Sequence, residues 1–357
     1  MTTYYVDVTT GNDGDDGLSE VNAWQTLHHA ADQVAAGDLV HVKGSADYVV
    51  EDGANDCVML VDTAGTAVAP IVIRGYTTNP GDGGTVTINA GTNALASAVI
   101  TSIGAEVNWK FENIRFTGGG GDGFDANGVT DSSITFENCR FDNNTGWGFQ
   151  GNDKHIFFKC QADNNTAGGI DADSYCHIIA CKIFSNSGIG VVTAGSGSVC
   201  GNLLYENGGN IYIFVTTAGT LVTGNTIDGD NQAGSIGIKQ DIAAANGQGF
   251  AIINNIIFDC DTGVRDDGNT LLHIWDYNLF YSCNTDYDQV TAGANDVTGT
   301  SDPFTDSGAN DYTLKSGSEA LNKGLDQDAF MDMGAFQQEC AGGNGSGRRS
   351  RIRQHGV

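Results

Sequence analysis

Basic residues are scarce in this sequence: 16 Lys and Arg stand against 44 Asp and Glu in 357 residues, a net charge of −28. Four of the bases, Arg348, Arg349, Arg351 and Arg353, follow Cys340 where no acid occurs, so the rest carries about −32 (12 bases against 44 acids). A body this acidic repels nucleic acid and anionic membrane, and neither is expected as a partner. No stretch approaches roughly 18 consecutive apolar residues, so no membrane insertion is expected. A basic and then apolar leader is also missing, because Met1 runs almost directly into strand-like residues 4–8. That reads as no secretory signal, with a removed signal and an added start Met as the alternative. The nine cysteines are odd in number and include no CxxC pair. They read as core thiols of a reducing cytoplasm, against a disulfide framework or a zinc site. Apolar residues, at 40%, are too many for global disorder.

What is abundant is glycine, 51 residues, and self-similarity. Segments beginning at Cys139, Cys160 and Cys181 align without a gap, and the next begins at Asn202. Looser copies start at Asn225, Asn255 and Asn278, and one precedes the set at Ile114. The offsets run 25, 21, 21, 21, 23, 30 and 23. That period is too short for a propeller blade and suits one coil of a β-solenoid, a fold that lengthens by adding coils instead of domains.

Each coil repeats one internal pattern. Gly123, Gly148, Gly169 and Gly190 form a column that marks either positive φ or close backbone approach. Large apolar residues follow (Phe124, Phe149, Ile170, Val191), then small ones two further on (Ala126, Gly151, Ala172, Thr193). Polar residues lie between, and alternation of period two means a strand with one buried face. Asn144, Asn165, Asn186 and Asn207, then Cys260 and Cys283, form a column at a turn, where stacked Asn hydrogen-bonds along the axis and tolerates left-handed backbone. The column of Cys139, Cys160, Cys181, Asn202, Asn225, Asn255 and Asn278 reads the same way, its cysteines as inert packing.

A solenoid exposes its core at both ends. Trp24, Leu27, Ala31 and Val34 have helical spacing and Gly37 closes the segment, so residues 22–36 are expected to form an amphipathic capping helix. Strand-like runs follow at 39–42, 58–61, 71–74, 86–88 and 99–103. Residues 11–18 resemble a calcium loop but lack its middle ligand (Asn12, Gly14, Asp16), and an acidic turn is the expectation.

The opening YYVDVTTGNDGDDGLSEVNAWQTLHHAADQVAAGDLVHVKG resembles the N-terminal segment of the pectate-lyase-like superfamily of right-handed parallel β-helix proteins. The closing SDPFTDSGANDYTLKSGSEALNKG…MDMGAFQ is similar to their final coil, so the resemblance covers about residues 3–338. It implies an all-β right-handed parallel β-helix over 1–340, with a strand and cap helix in 1–38 and a closing segment in 300–338. The superfamily holds polysaccharide lyases, hydrolases and epimerases as well as phage tailspikes, so it does not choose among functions. Neither a Gly-His-Gly segment beside paired aspartates nor an Asp-Pro-His motif is present; Gly123-Phe124-Asp125-Ala126-Asn127 has the Asp alone.

The register nominates one polar patch. Asp125, Gln150 and Asp171 face outward in one column and Asn127, Asn152 and Asp173 in the next, with Lys154, His155 and Tyr175 at the strand ends. A hydrolase would use Asp171 with Asp173 or Asp125, about 7–10 Å apart. A uronate lyase would use Lys154 or Tyr175 as base and Asp171 and Asp173 as Ca2+ ligands. The third reading is a solvated face that holds a glycan through Asn127, Gln150, Asn152 and Tyr175. Arg265-Asp266-Asp267 reads as a turn.

Residues 341–357 form a Gly/Ser linker with four Arg, either a solubilising terminus or an anchor for an acidic surface. Together these features point first to a virion-type structural protein: a phage spike, fibre or decoration, assembled in the host cytoplasm. It would present a glycan-contacting face and dock through Arg348, Arg349, Arg351 and Arg353 to other subunits, with a homotrimer as the analogy to tailspikes. The alternative is a secreted polysaccharide lyase or glycoside hydrolase working through Asp171, Asp173, Asp125 and Lys154. No cofactor is expected beyond Ca2+ in the lyase reading.

Overall fold

The computed structural model describes residues 1–49, 57–91, 97–101, 107–127, 133–152, 154–214, 219–241, 251–267, 274–325 and 333–334. Successive coils lay one strand each on three parallel sheets, and the expected right-handed parallel β-helix is the fold. Sheet A has eleven strands, from Thr3–Asp7 to Ile274–Asp276. Sheet B has eleven, from Tyr48–Val49 to Val297–Thr298. Sheet C has ten, from Cys57–Val61 to Thr285–Asp288.

Period-two alternation puts the apolar side chains of each strand inside the tube, one or two at a time. Phe111, Phe116, Phe124, Phe136, Phe141, Phe149 and Phe157 are all fully buried. Rings one coil apart stack, as in Phe116–Phe141 (5.0 Å) and Phe136–Phe157 (5.1 Å), while rings from different sheets meet edge-on. Farther along, Ile170, Val191, Ile211, Ile238 and Val264 continue the sheet C column that runs from Met59 and Val99 through Phe124 and Phe149.

The glycine column serves close approach, not positive φ. A Cβ on Gly148 would lie 2.6 Å from the carbonyl oxygen of Gly169, and one on Gly169 would lie 2.5 Å from that of Gly190. The asparagine column is a buried ladder, with Nδ2-to-Oδ1 bonds of 2.9, 3.0 and 2.9 Å linking Asn144, Asn165, Asn186 and Asn207. A second ladder joins Asn202, Asn225, Asn255 and Asn278. Left-handed backbone falls one residue earlier than expected, on Asn143, Asn164, Ser185 and Glu206. The ladder residue itself is spared for its side-chain bonds.

At the start, the helix α1 spans only Leu27–Gln33, shorter than the expected 22–36. The Asp13 carboxylate accepts from the N–H groups of Gln25 and Thr26 and from the Thr26 hydroxyl, holding those residues extended. Thr26 then caps the helix by accepting from His29 N–H. Trp24 bridges Val6 and stacks on Tyr4 instead of continuing the helical face. Leu27, Ala30 and Ala31 are buried, and α1 packs on Cys57–Val61, the outermost strand of sheet C. Residues 11–18 are the expected turn: Asn12 and Asp16 accept from Gly14 and Leu18 N–H.

At the other end the chain turns back. Phe304–Asp306 and Asp311–Leu314 pair as an antiparallel hairpin separate from the three sheets. Phe304, Tyr312 and Leu314 bury against Leu203, Tyr205, Ile256, Phe258 and Leu279 on the outside of sheet B. The same outer face is polar farther up, where Arg115 and Arg140 pair with Asp142 and Asp163.

Candidate functional site

On sheet C the register aligns Leu60, Ile100, Asp125, Gln150, Asp171, Val192, Tyr212, Lys239, Arg265 and Asp288 as one outward column. Asp125, Gln150 and Asp171 are the ones nominated from the sequence. Gln150 Nε2 donates to Asp171 Oδ2 (3.0 Å), and its Oε1 accepts from Asn127 Nδ2 (2.8 Å). Asn127 N–H donates to Asp125 Oδ1 (2.9 Å), and Asn152 Nδ2 donates to the Asn127 carbonyl (3.0 Å). Asp173 is exposed at the strand end beside Asn152, whose carbonyl accepts from its N–H. Asp125, Asp171, Asp173, Asn127, Gln150 and Asn152 are therefore neighbours on one face.

The remaining nominees lie apart. Lys154 and Tyr175 are exposed, left-handed residues in the turn from sheet C to sheet A, stacked on each other along the axis. Lys154 N–H donates to the Ser174 carbonyl, and Tyr175 N–H donates to that of Gly195. His155 is not on the face at all. It is fully buried, packed edge-on against Phe149, with neither ring nitrogen hydrogen-bonded, and burial pushes its pKa down to about 3. Arg348, Arg349, Arg351 and Arg353 lie outside the described residues.

Two parts of the face were missed. Asp122 precedes the strand Phe124–Ala126, and its carboxylate accepts from Trp147 N–H at 2.6 Å. Burial, with Asp125 and Asp171 nearby, raises its pKa to about 6. Burial and Asp173 likewise raise Asp171, against the lowering bond from Gln150. Asp122 sits in a run of glycines without alternation, so only its contact with the next coil could reveal it. The second part is Tyr212, Lys239, Arg265 and Asp267. Arg265 and Asp266 belong to the strand Thr262–Asp266, where a turn was expected, because Val264 just before them fills the core column. Lys239 bonds Asp267 (3.0 Å) and lies over the Tyr212 ring, and Arg265 pairs with Asp267. The face thus has an acidic half and a half whose cations are already paired.

Among the described residues no three His, Cys, Asp or Glu side chains come together as a metal site. The described cysteines are free thiols, mostly buried. No described helix is long and apolar enough to cross a membrane.

Residues 81–227 match the family described as "Right handed beta helix region". Among solved structures, the pectate lyase Pel9A aligns over 95% of this chain and 96% of its own, with a TM-score of 0.55 and 15% identity. A rhamnogalacturonan lyase aligns over 83% and 87%, with a TM-score of 0.51 and 15% identity. No curated protein matches the sequence. At these identities the likeness is one of fold: a right-handed parallel β-helix.

Proposed function

We propose that the protein lays a polysaccharide along the acidic half of sheet C and hydrolyses it with the carboxyl groups there. The observation that carries this is the gathering of Asp122, Asp125, Asp171 and Asp173 on one outer face within three coils. Raised carboxyls stand among them. Neighbouring carboxyls held unlike in protonation are what acid–base cleavage of a glycosidic bond requires.

Asp171 lies on the strand Gly168–Ala172 and Asp173 just past its end, two residues on and about 7 Å away, within the span that admits a water beside the sugar. Asp171, whose pKa burial raises, is the carboxyl placed to give its proton to the leaving oxygen. Asp173, exposed at the strand end, takes a proton from the attacking water, whose oxygen bonds the anomeric carbon as the glycosidic bond breaks. Gln150 orients Asp171 through its 3.0 Å bond. The names of the structural neighbours, pectate lyase and rhamnogalacturonan lyase, support a polysaccharide substrate and leave elimination as the competing chemistry.

The test is product analysis on a panel of neutral and acidic polysaccharides. New reducing ends without ultraviolet-absorbing unsaturated products, lost at least about 100-fold in Asp171→Asn, are expected. Unsaturated products would replace hydrolysis with elimination. Undiminished cleavage by Asp171→Asn would remove this face from the chemistry.

A further inference from the structure

Beside the carboxyls lies an aromatic side chain that the core does not use. Trp147 begins the strand Trp147–Gly151, is partly exposed, and belongs to neither buried cluster. The other three tryptophans are buried: Trp24 is 4% exposed, Trp109 1% and Trp275 8%. In the register Trp147 stands over Gly168 of the next coil, and the indole covers that glycine. A Cβ on Gly168 would lie 2.1 Å from indole Cζ3 and 2.6 Å from Cε3. Any larger residue at 168 would displace the ring. The sequence thus leaves a bare backbone patch against which the indole packs.

Asp122 borders one side, its carboxylate bonded to Trp147 N–H. Gln150 lies three residues along the strand that Trp147 begins, with Asp171 opposite it on the next, about 10 Å away, the length of two linked sugar units at most. We infer that Trp147 on Gly168 is a stacking platform for one pyranose ring of an uncharged polysaccharide, positioning the next linkage at Asp171. This rests on the proposed glycan hydrolysis and adds the substrate class to it.

The chemistry of the surroundings selects that class. An indole face takes up the C–H face of a pyranose, while sugar hydroxyls at the ring edge need acceptors. Asp122 supplies an acceptor beside the platform, and Asp171 and the Gln150 amide oxygen supply acceptors for the next unit. A uronate there would bring its own negative charge into a cluster of four carboxyls, and like charge is repelled at such range. The described cations of the same column, Lys239 and Arg265, lie three or more coils beyond Asp171 and are engaged with Asp267. Trp147 is then a positioning and specificity residue, not one that exchanges protons.

The experiment uses the full chain. Acrylamide quenching of tryptophan fluorescence, in which Trp147 is the accessible reporter, is measured with neutral oligosaccharides (gluco-, galacto-, manno- and xylo-) and with oligouronates. Binding and cleavage are then compared for wild type, Trp147→Phe and Trp147→Ala, with circular dichroism and Tm as folding controls. Expected are shielding by a neutral oligosaccharide, a Kd raised about tenfold or more in Trp147→Ala, and substantial recovery in Trp147→Phe. Shielding by oligouronates alone would overturn the substrate class. Cleavage of a neutral glycan with unchanged KM in Trp147→Ala would overturn the platform while leaving the hydrolytic reading in place. Shielding with no cleavage by any variant would do the reverse. If Trp147→Ala fails to fold, the wild-type shielding and the Trp147→Phe affinity still decide.

Discussion

Lowering the pH should destabilise this fold through one residue, His155. Its imidazole is fully buried against Phe149 with both ring nitrogens unpartnered, so the folded state holds it neutral with a pKa near 3, against 6.5 for the free side chain. The folded pKa is depressed, so between those values the unfolded chain binds the proton that the folded chain refuses. Stability is therefore fully present above about pH 6.5 and declines as pH falls toward 3. At 1.36 kcal/mol per unit, the contribution amounts to about 2 kcal/mol by pH 5 and about 5 kcal/mol in all. With an unfolding entropy of about 2.1 cal/mol/K per residue, the pH 5 loss lowers Tm by about 3 °C. Asp122 and Asp228 titrate in the same range with the opposite sign, so wild type alone is ambiguous. The decisive quantity is the difference between wild type and His155→Leu, measured by urea unfolding at pH 7.5, 6, 5 and 4. Leu is near in volume and leaves no buried nitrogen unpaired, so the variant should gain steadily on wild type as pH falls. Parallel stability–pH curves for the two proteins would refute the argument.

Three further perturbations address the framework. Asn165→Ala deletes a fully buried side chain that donates to Phe141 O and Asn186 Oδ1 and accepts from Asn144. Leaving the Asn144 N–H and the Phe141 carbonyl unpaired should cost about 3 kcal/mol, read as a Tm lowered by about 4 °C. Gly148→Ala puts a Cβ 2.6 Å from the Gly169 carbonyl oxygen and should cost at least about 1–3 kcal/mol by chemical denaturation, whereas Gly209→Ala, whose Cβ meets only Ile189 Cγ1 at 3.6 Å, should cost less. Asp228 is buried under the closing hairpin, accepts from Tyr312 OH at 2.7 Å, and is raised to about 7 by burial. Because its folded pKa lies above its unfolded one, its contribution is present at low pH and lost as pH rises through 7. Asp228→Asn should therefore raise Tm relative to wild type at pH 8.5 but not at pH 5.

Much of the fold was legible because a solenoid repeats its physics. The 21-residue spacing of Cys139, Cys160 and Cys181 carries into strict register, with Arg140, Gln161 and Lys182 side by side on sheet B. Alternation named the core column from Phe124 to Val191, and the asparagine column named its own ladder. The site was legible only where it shared that alternation, at Asp125, Gln150 and Asp171. His155 looked like a site residue because the strand-end position carries no sign of facing in or out. It faces in, between Ile134 and Cys176 in its column.

The sequence by itself determined the coil, its period and the inward column, since these depend on neighbours at fixed spacing along the chain. Only the tertiary structure decided which outward residues meet. Asp122 joins the carboxyls through a bond to the next coil, and Trp147 has its platform because residue 168 one coil away lacks a Cβ. The hairpin at 304–314 found its place on sheet B by burying Phe304 and Tyr312 where the outer face turns from paired charges to Leu203, Tyr205 and Phe258. In each case the partner is distant along the chain, and burial and charge in three dimensions set the outcome.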